Sequence, residues 1–456
     1  MANPLGTERI GKLLFRFAIP SIISMLVNSL YNIVDQIFIG RGIGMLGNAA
    51  TNVAFPITTI TLAIALLLGI GTTSNFNLRL GAGEEQKAGE VVGTGILLVF
   101  GSSVVLCLLM EIFLYPVVRL CGASGDVLSY AVTYTRIIVL GIPLSMISTA
   151  GSHMVRGDGR PLKSMTCVVI GAVINTVLDP LFIFVFQWGM AGAAIATVMG
   201  QAVSGCLMIW YLFHYQSIRM KKEYFRVHIS CLRDIASLGA AACFNQMAIT
   251  LVQIVMNNVL TYYGARSVYG SEIPLACVGI IMKVNSLLIA VVVGISQGCQ
   301  PIFGFNYGAK QYERVKTTLK LGLTAVTVIS LAAFLSFQIF PRQIIQIFGG
   351  GSELYYQFAI RYFRIYMLLT LANGLQPLTS NFFTSIGKAK KGIFISMTRQ
   401  VIFLLPLIII FPMILGIDGV MYAGPIADTA ALIVAGLLLR PEIKKMNQLT
   451  CREQCL

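Results

Sequence analysis

Charge is what this 456-residue chain has least of: 11% of it is Asp, Glu, Lys or Arg, and only 18 residues are acidic. With 56% hydrophobic residues and a mean hydropathy of +0.81, it carries more apolar surface than a soluble core can bury, so lipid must be its main solvent. Catalytic chemistry is equally sparse. The sequence has no Walker loop, no H-E-x-x-H, no G-x-S-x-G, and no His/Asp/Glu cluster with catalytic spacing; neither an enzyme nor energy drawn from ATP within the chain is expected. Its three histidines, His153, His214 and His228, fall near one face of the membrane and are expected to be solvated. The ten cysteines lack paired spacing, and six lie in apolar stretches (Cys107, Cys167, Cys206, Cys243, Cys277, Cys299). That excludes a disulfide framework and a cysteine metal site, and no cofactor is expected.

What the chain does have is long apolar runs. A bilayer core about 30 Å thick takes about 20 residues per helix. Six runs fall at 14–39, 52–78, 90–115, 130–153, 163–187 and 190–213. A basic segment follows (Arg219, Lys221, Lys222, Arg226, Arg233), then six more runs at 235–262, 274–303, 315–340, 356–384, 392–415 and 420–439. The expected fold is an all-α integral membrane protein of twelve transmembrane helices with no soluble domain. The first run is long enough to be a retained span rather than a cleavable signal.

Lys and Arg total 33, and 25 of them fall in alternate connections together with the two chain ends. The other eight (Arg41, Arg119, Arg136, Arg266, Lys283, Arg342, Arg361, Arg364) lie in the remaining connections or inside spans. Both termini are therefore expected to be cytoplasmic. This distribution also argues against nucleic acid as the partner of the basic excess. The run Gly349-Gly350-Gly351 falls in an external connection and reads as a flexible turn.

The halves echo each other. Gly69-Ile70 and the segment to Leu80-Gly81-Ala82 resemble Gly294-Ile295 and the segment to Tyr307-Gly308-Ala309. Gly189-Met190-Ala191-Gly192 resembles Gly416-Ile417-Asp418-Gly419 at the same offset of 227 residues. Two pseudo-symmetric six-helix lobes follow, 1–214 and 234–456, joined by a basic linker at 215–233. Because six is even, they are parallel repeats about an axis along the membrane normal, with a pathway between them.

An ionisable side chain inside a span is expensive and needs a partner, a wet cavity or a function. The first lobe has two such acids, Asp35 in the first span and Asp179 in the fifth. Asn175 and Asp179 are four residues apart and share one helix face. Pro180 removes a backbone N–H and should disturb the span there. Asp35, Asp179, Tyr134 and Thr197, on four different spans, fall at a similar depth. Two carboxylates at that depth can carry a proton, and their oxygens with Asn175 and Thr197 equally suit sodium; the sequence does not separate these ions. Tyr31, Asn32 and Gln36 are candidates to line a substrate cavity. Matching the span ends sets Asn257 opposite Asp35, so the second lobe lacks that carboxylate. Its candidate cavity residues are Gln253, Asn257, Lys283 and Asp428, with Lys283 and Asp428 expected to pair inside the membrane. Glu111 and Arg136 lie near span ends and read as interfacial.

Ala18-Ile19-Pro20, Val34-Asp35-Gln36-Ile37-Phe38-Ile39-Gly40, Gly81-Ala82-Gly83, the Asn175/Asp179 pair and Gly189-x-x-Gly192-Ala193-Ala194 together resemble the multidrug and toxic compound extrusion (MATE) family, particularly bacterial NorM-like and MepA-like members. The resemblance covers nearly the whole chain. It implies two lobes around a central cavity that alternates between inward-open and outward-open states, exporting lipophilic, often cationic compounds against protons or sodium. It also implies that Asp35, Asn175, Asp179 and Thr197, joined by Tyr134, form the polar cluster of the first lobe. Some relatives use acids in the seventh and tenth spans, where this chain has Gln253, Asn257, Asn373 and Gln376. A small-molecule substrate, surrounding lipid and a monomeric state in the plasma or inner membrane complete the expectation. The alternative is a lipid-linked saccharide flippase of the same superfamily, which should have a more cationic cavity. A major-facilitator-type transporter should carry a basic loop after the second span, where this chain has Gly81-Ala82-Gly83-Glu84-Glu85.

Overall fold

The computed structural model describes residues 3–123, 125–348 and 352–454, and among them there is no strand. The spans, in chain order, are α1 (Ile10–Gly42), α2 (Met45–Gly81), α3 (Glu85–Ile112), α4 (Gly125–Leu140 with Ile142–Gly157), α5 (Pro161–Val185), α6 (Gly189–Leu212), α7 (Ile229–Ala265), α8 (Glu272–Gly308), α9 (Tyr312–Ile339), α10 (Glu353–Tyr366 with Thr370–Ser385), α11 (Ala389–Leu415) and α12 (Asp418–Gln454). Ten are single helices long and apolar enough to cross a bilayer, and α4 adds an eleventh as a pair bent by 54°. In α10 neither helix is long enough alone, and Arg361 and Arg364 sit in the first; Arg361 pairs with Asp418 at 2.8 Å.

The interruptions have local causes. In α4 the second helix begins at Ile142 with Pro143 in its first turn, where proline's missing N–H costs nothing. The disturbance expected at Pro180 is a π-turn over Leu181–Val185. Its counterpart in α11, Thr398–Leu404, is also π-helical. The fifth helix of each lobe is thus loosened in the same way, and the fourth of each is broken in two.

Two large hydrophobic cores form, one mainly from α1 to α6 and one mainly from α7 to α12, and a small third joins Leu5, Ile10, Leu13 and Phe17 to Ile302 and Phe305 of α8. The helices that open each half begin in the other half's core: Leu14 and Ala18 of α1 are buried in the second core, Cys231 and Ile235 of α7 in the first. This exchange takes place towards the face that carries the chain ends and most of the Lys and Arg, called the basic face below. The lobes meet there backbone to backbone. A Cβ at Gly81 would stand 2.0 Å from the Phe305 carbonyl oxygen, and one at Gly308 would stand 2.1 Å from that of Leu78. Each contact maps onto the other through the 227-residue offset, as a two-fold-related seam requires. The Gln300 side-chain amide donates to Ser74 Oγ across the seam at 3.0 Å. Arg314 and Asn306 hold the Pro4–Thr7 turn by donating to the Leu5 carbonyl, each at 3.0 Å.

Candidate functional site

The polar cluster of the first lobe assembles as expected. Asp35, Asn175 and Asp179 are 8%, 3% and 0% exposed, and Tyr134 is buried with them. The Asp35 and Asp179 carboxyl groups lie within hydrogen-bonding reach of each other. Asn175 Nδ2 donates to Asp179 Oδ1 and to Thr197 Oγ1, both at 3.4 Å. Asn175 is therefore the bridge that ties α5 to α6. Close backbone approach makes this reach available: a Cβ at Gly200 would lie 2.5 Å from the Gly171 carbonyl oxygen and 2.9 Å from Asn175 Cβ. Tyr31 and Tyr134 flank the acid pair from α1 and α4. Tyr31, expected in the substrate cavity, is half-buried beside this cluster.

Three buried oxygens in the cluster have no hydrogen-bond partner: Asp35 Oδ1, Asn175 Oδ1 and Asp179 Oδ2. Buried polar atoms are almost always satisfied, so three orphaned acceptors side by side mark an incomplete site. They are all hard oxygens, which suit a proton shared between carboxyl groups or a small hard cation.

The other candidates scatter. Asn32 is exposed on α1 and donates to the Asn28 carbonyl at 2.6 Å, with Asn28 exposed one turn away. Gln253 and Asn257 are exposed one turn apart on α7, and Lys283 is exposed on α8. Polar side chains exposed inside spans need water or a partner rather than lipid. Gln36 turns instead into the first lobe, where Thr51 Oγ1 lies 3.5 Å from its Oε1.

The expected Lys283/Asp428 pair does not form. Asp428 is buried against Arg399, whose Nε lies 2.5 Å from its Oδ1. Among the described residues Lys283 makes no ion pair. Gln376 is also structural, donating to the Ile395 and Ser396 carbonyls. The Asn373 side chain and Gly349, Gly350 and Gly351 lie outside the described residues. His153 is 3% exposed rather than solvated, because the last turns of α4 pack inward against α2 and α6. Glu111 and Arg136 pair at 3.1 Å in a partly exposed setting.

Sequence reading missed two buried cations. Arg156 and Arg399 sit in the alternating count as loop residues, yet they are 2% and 7% exposed. Both terminal nitrogens of Arg156 lack a partner. The seam was missed too, although its signal was present: small and polar residues interrupt the apolar runs at 69–77 and 294–306.

The family model MatE matches this chain twice, over residues 20–181 and 241–410, once in each lobe. The chain is similar to the multidrug export protein MepA of Staphylococcus haemolyticus, 24% identical with 93% of this chain and 92% of that protein covered. It is similar also to an FAD transporter of Shewanella oneidensis, 26% identical with 92% of each covered. A solved structure of a MOP superfamily transporter from Pyrococcus furiosus superposes with a TM-score of 0.90 at 25% identity, covering 97% of this chain and 98% of that one. One fold repeated across the chain, one family model met in both halves and a charged cluster built inside the first lobe agree: this protein belongs to the MatE family of multi-pass membrane transporters, whose members carry solutes rather than catalyse reactions.

Proposed function

We propose that the protein is a secondary antiporter that exports lipophilic, often cationic compounds in exchange for protons or sodium, with coupling carried by Asp35 and Asp179. The observation that carries the reading is the buried, facing carboxyl pair with its orphaned oxygens. Two ionised carboxylates held together away from water repel each other, and a proton between them or a sodium ion cancels the repulsion. Asn175, Thr197, Tyr31 and Tyr134 complete the shell. In this reading Asn32, Gln253 and Asn257, exposed inside their spans, line the path the substrate takes. The basic face is cytoplasmic in this reading, as the Lys and Arg bias favours. With the seam closed on that face, the conformation is outward-open. Ion binding then shifts the equilibrium by as much as the two conformations differ in ion affinity. The name of the Staphylococcus haemolyticus relative, a multidrug exporter, supports this cargo class.

A second cargo reading has its own support: Lys283 is an exposed cation inside a span that makes no ion pair among the described residues, and one relative is named an FAD transporter. A phosphate-bearing flavin dinucleotide would suit such a cation. Efflux of a fluorescent lipophilic cation from energised vesicles tests the first reading. Export that is competed by FAD and lost in Lys283→Gln would favour the second.

A further inference from the structure

On the basic face, an apolar crevice of about 290 Å³ opens between α3, α4 and α6. Leu97 and Phe100 of α3, Ile147 and Met154 of α4 and Leu212 of α6 line it, and Phe225 of the linker roofs it. Nothing in its wall offers a hydrogen bond, and its volume is below that of a typical drug-sized site. A segment of hydrocarbon chain is what such a slot accommodates.

The linker above it is fixed in place. The Tyr224 ring covers Gly89, and a Cβ at Gly93 would stand 2.0 Å from the Tyr224 carbonyl oxygen. Thr94 Oγ1 donates to the Arg226 carbonyl at 2.9 Å, and Phe225 stacks on Phe213 with ring centres 5.9 Å apart. This anchored segment displays Arg219, Lys221, Lys222 and Arg226, all exposed, with Glu223 as the one acid among them. Among the described residues none of the four cations makes an ion pair. An apolar slot therefore sits beneath an anchored rim of positive charge that the described residues leave unpaired.

We propose that this crevice binds a single anionic phospholipid, one acyl chain lying between α3, α4 and α6 and the phosphate held by the linker cations around Phe225. Charge complementarity selects the headgroup, because basic residues at a membrane surface favour anionic lipid by about five-fold each. The slot supplies the chain site that a polybasic patch alone lacks. A lipid seated there touches α4 and α6, the helices that carry Tyr134 and Thr197, but the proposal stands whether or not the chain exports drugs.

The chain has two tryptophans, and Trp210 lies on α6 beside the crevice, exposed and stacked on His214 at 5.0 Å. In Trp188→Phe, Trp210 is the only indole left. That variant, reconstituted in phosphatidylcholine vesicles, is titrated with brominated phosphatidylglycerol or brominated phosphatidylcholine, and indole quenching is read. Half-maximal quenching is expected at a mole fraction of the anionic lipid lower by about ten-fold or more, with the preference falling to about five-fold or less in Lys221→Gln/Lys222→Gln/Arg226→Gln, where Arg219 remains. Phe225→Ala, which unroofs the slot without changing charge, is expected to weaken quenching by both lipids. Equal quenching by the two lipids, a preference undiminished by the triple substitution, or no effect of Phe225→Ala would each overturn the proposal.

Discussion

Substituting Gly81 by Ala tests the seam with one methyl group. The added Cβ would lie 2.0 Å from the Phe305 carbonyl oxygen, against an ordinary contact of at least 3.4 Å. The helices must therefore part by about 1.4 Å. The obstructing atom is backbone, so no side-chain rotation relieves it. Overpacking of this kind costs about 1–3 kcal/mol. If α2 and α8 separate when the protein opens to the basic face, the whole cost falls on the closed conformation, and the equilibrium shifts towards the open one by about 5–150-fold. Gly101→Ala is the reference, since nothing lies within 4 Å of a Cβ there. The readout is labelling of a cysteine introduced at the buried Ser74 by a membrane-impermeant maleimide applied to the basic face, in a background lacking native cysteines. Labelling should accelerate strongly in Gly81→Ala, equally in its two-fold mate Gly308→Ala, and not in Gly101→Ala. Labelling in Gly81→Ala indistinguishable from Gly101→Ala would refute the reasoning.

Other substitutions separate site from scaffold. Asn175→Ala removes the bridge to Asp179 and Thr197, a loss of about 1.5–2 kcal/mol that should raise the driving-ion concentration for half-maximal efflux roughly 10–30-fold. Arg399→Met leaves Asp428 charged and buried, so denaturation in detergent should reveal a loss of about 3–5 kcal/mol, largely restored in Arg399→Met/Asp428→Leu; Lys283→Gln, on an exposed side chain, should fall within about 0.5 kcal/mol of the parent. Asp158 accepts from Tyr211 Oη and from the Gln216 and Ser217 amides at 2.9–3.0 Å, and Asp158→Ala should cost about 2 kcal/mol or more by orphaning those donors. Burial lifts the Asp158 carboxyl above its ordinary value despite the donors. The parent should therefore be most stable relative to Asp158→Asn below about pH 4 and lose that margin as pH rises through the raised value.

Much of this was legible in the sequence because lipid imposes strict rules. Twelve apolar runs followed from hydropathy, and the Asn175/Asp179 spacing gave a shared helix face that the structure preserves. Pro180 announced the π-turn. The pairing of Asp428 was misread because sequence distance favours no partner: Arg399 counts as a loop cation until α11 is seen to carry it inward. His153 and Arg156 failed for the same reason, since the end of an apolar run does not say whether the next turn meets solvent or another helix. Gln36 and Tyr31 lie on the same span and turn different ways, a difference set by how α1 packs on α2 and α5. The seam glycines were visible as a repeat, but repetition alone does not say that the repeated segments touch.

The central claim is that a facing carboxyl pair couples an ion gradient to export. The most direct test is efflux of a fluorescent lipophilic cation from vesicles of the parent, Asp35→Asn and Asp179→Asn, with proton and sodium gradients imposed separately. The account predicts that one gradient drives efflux in the parent and that either substitution abolishes this dependence while leaving substrate binding measurable. Gradient-driven efflux unchanged in both variants would contradict it.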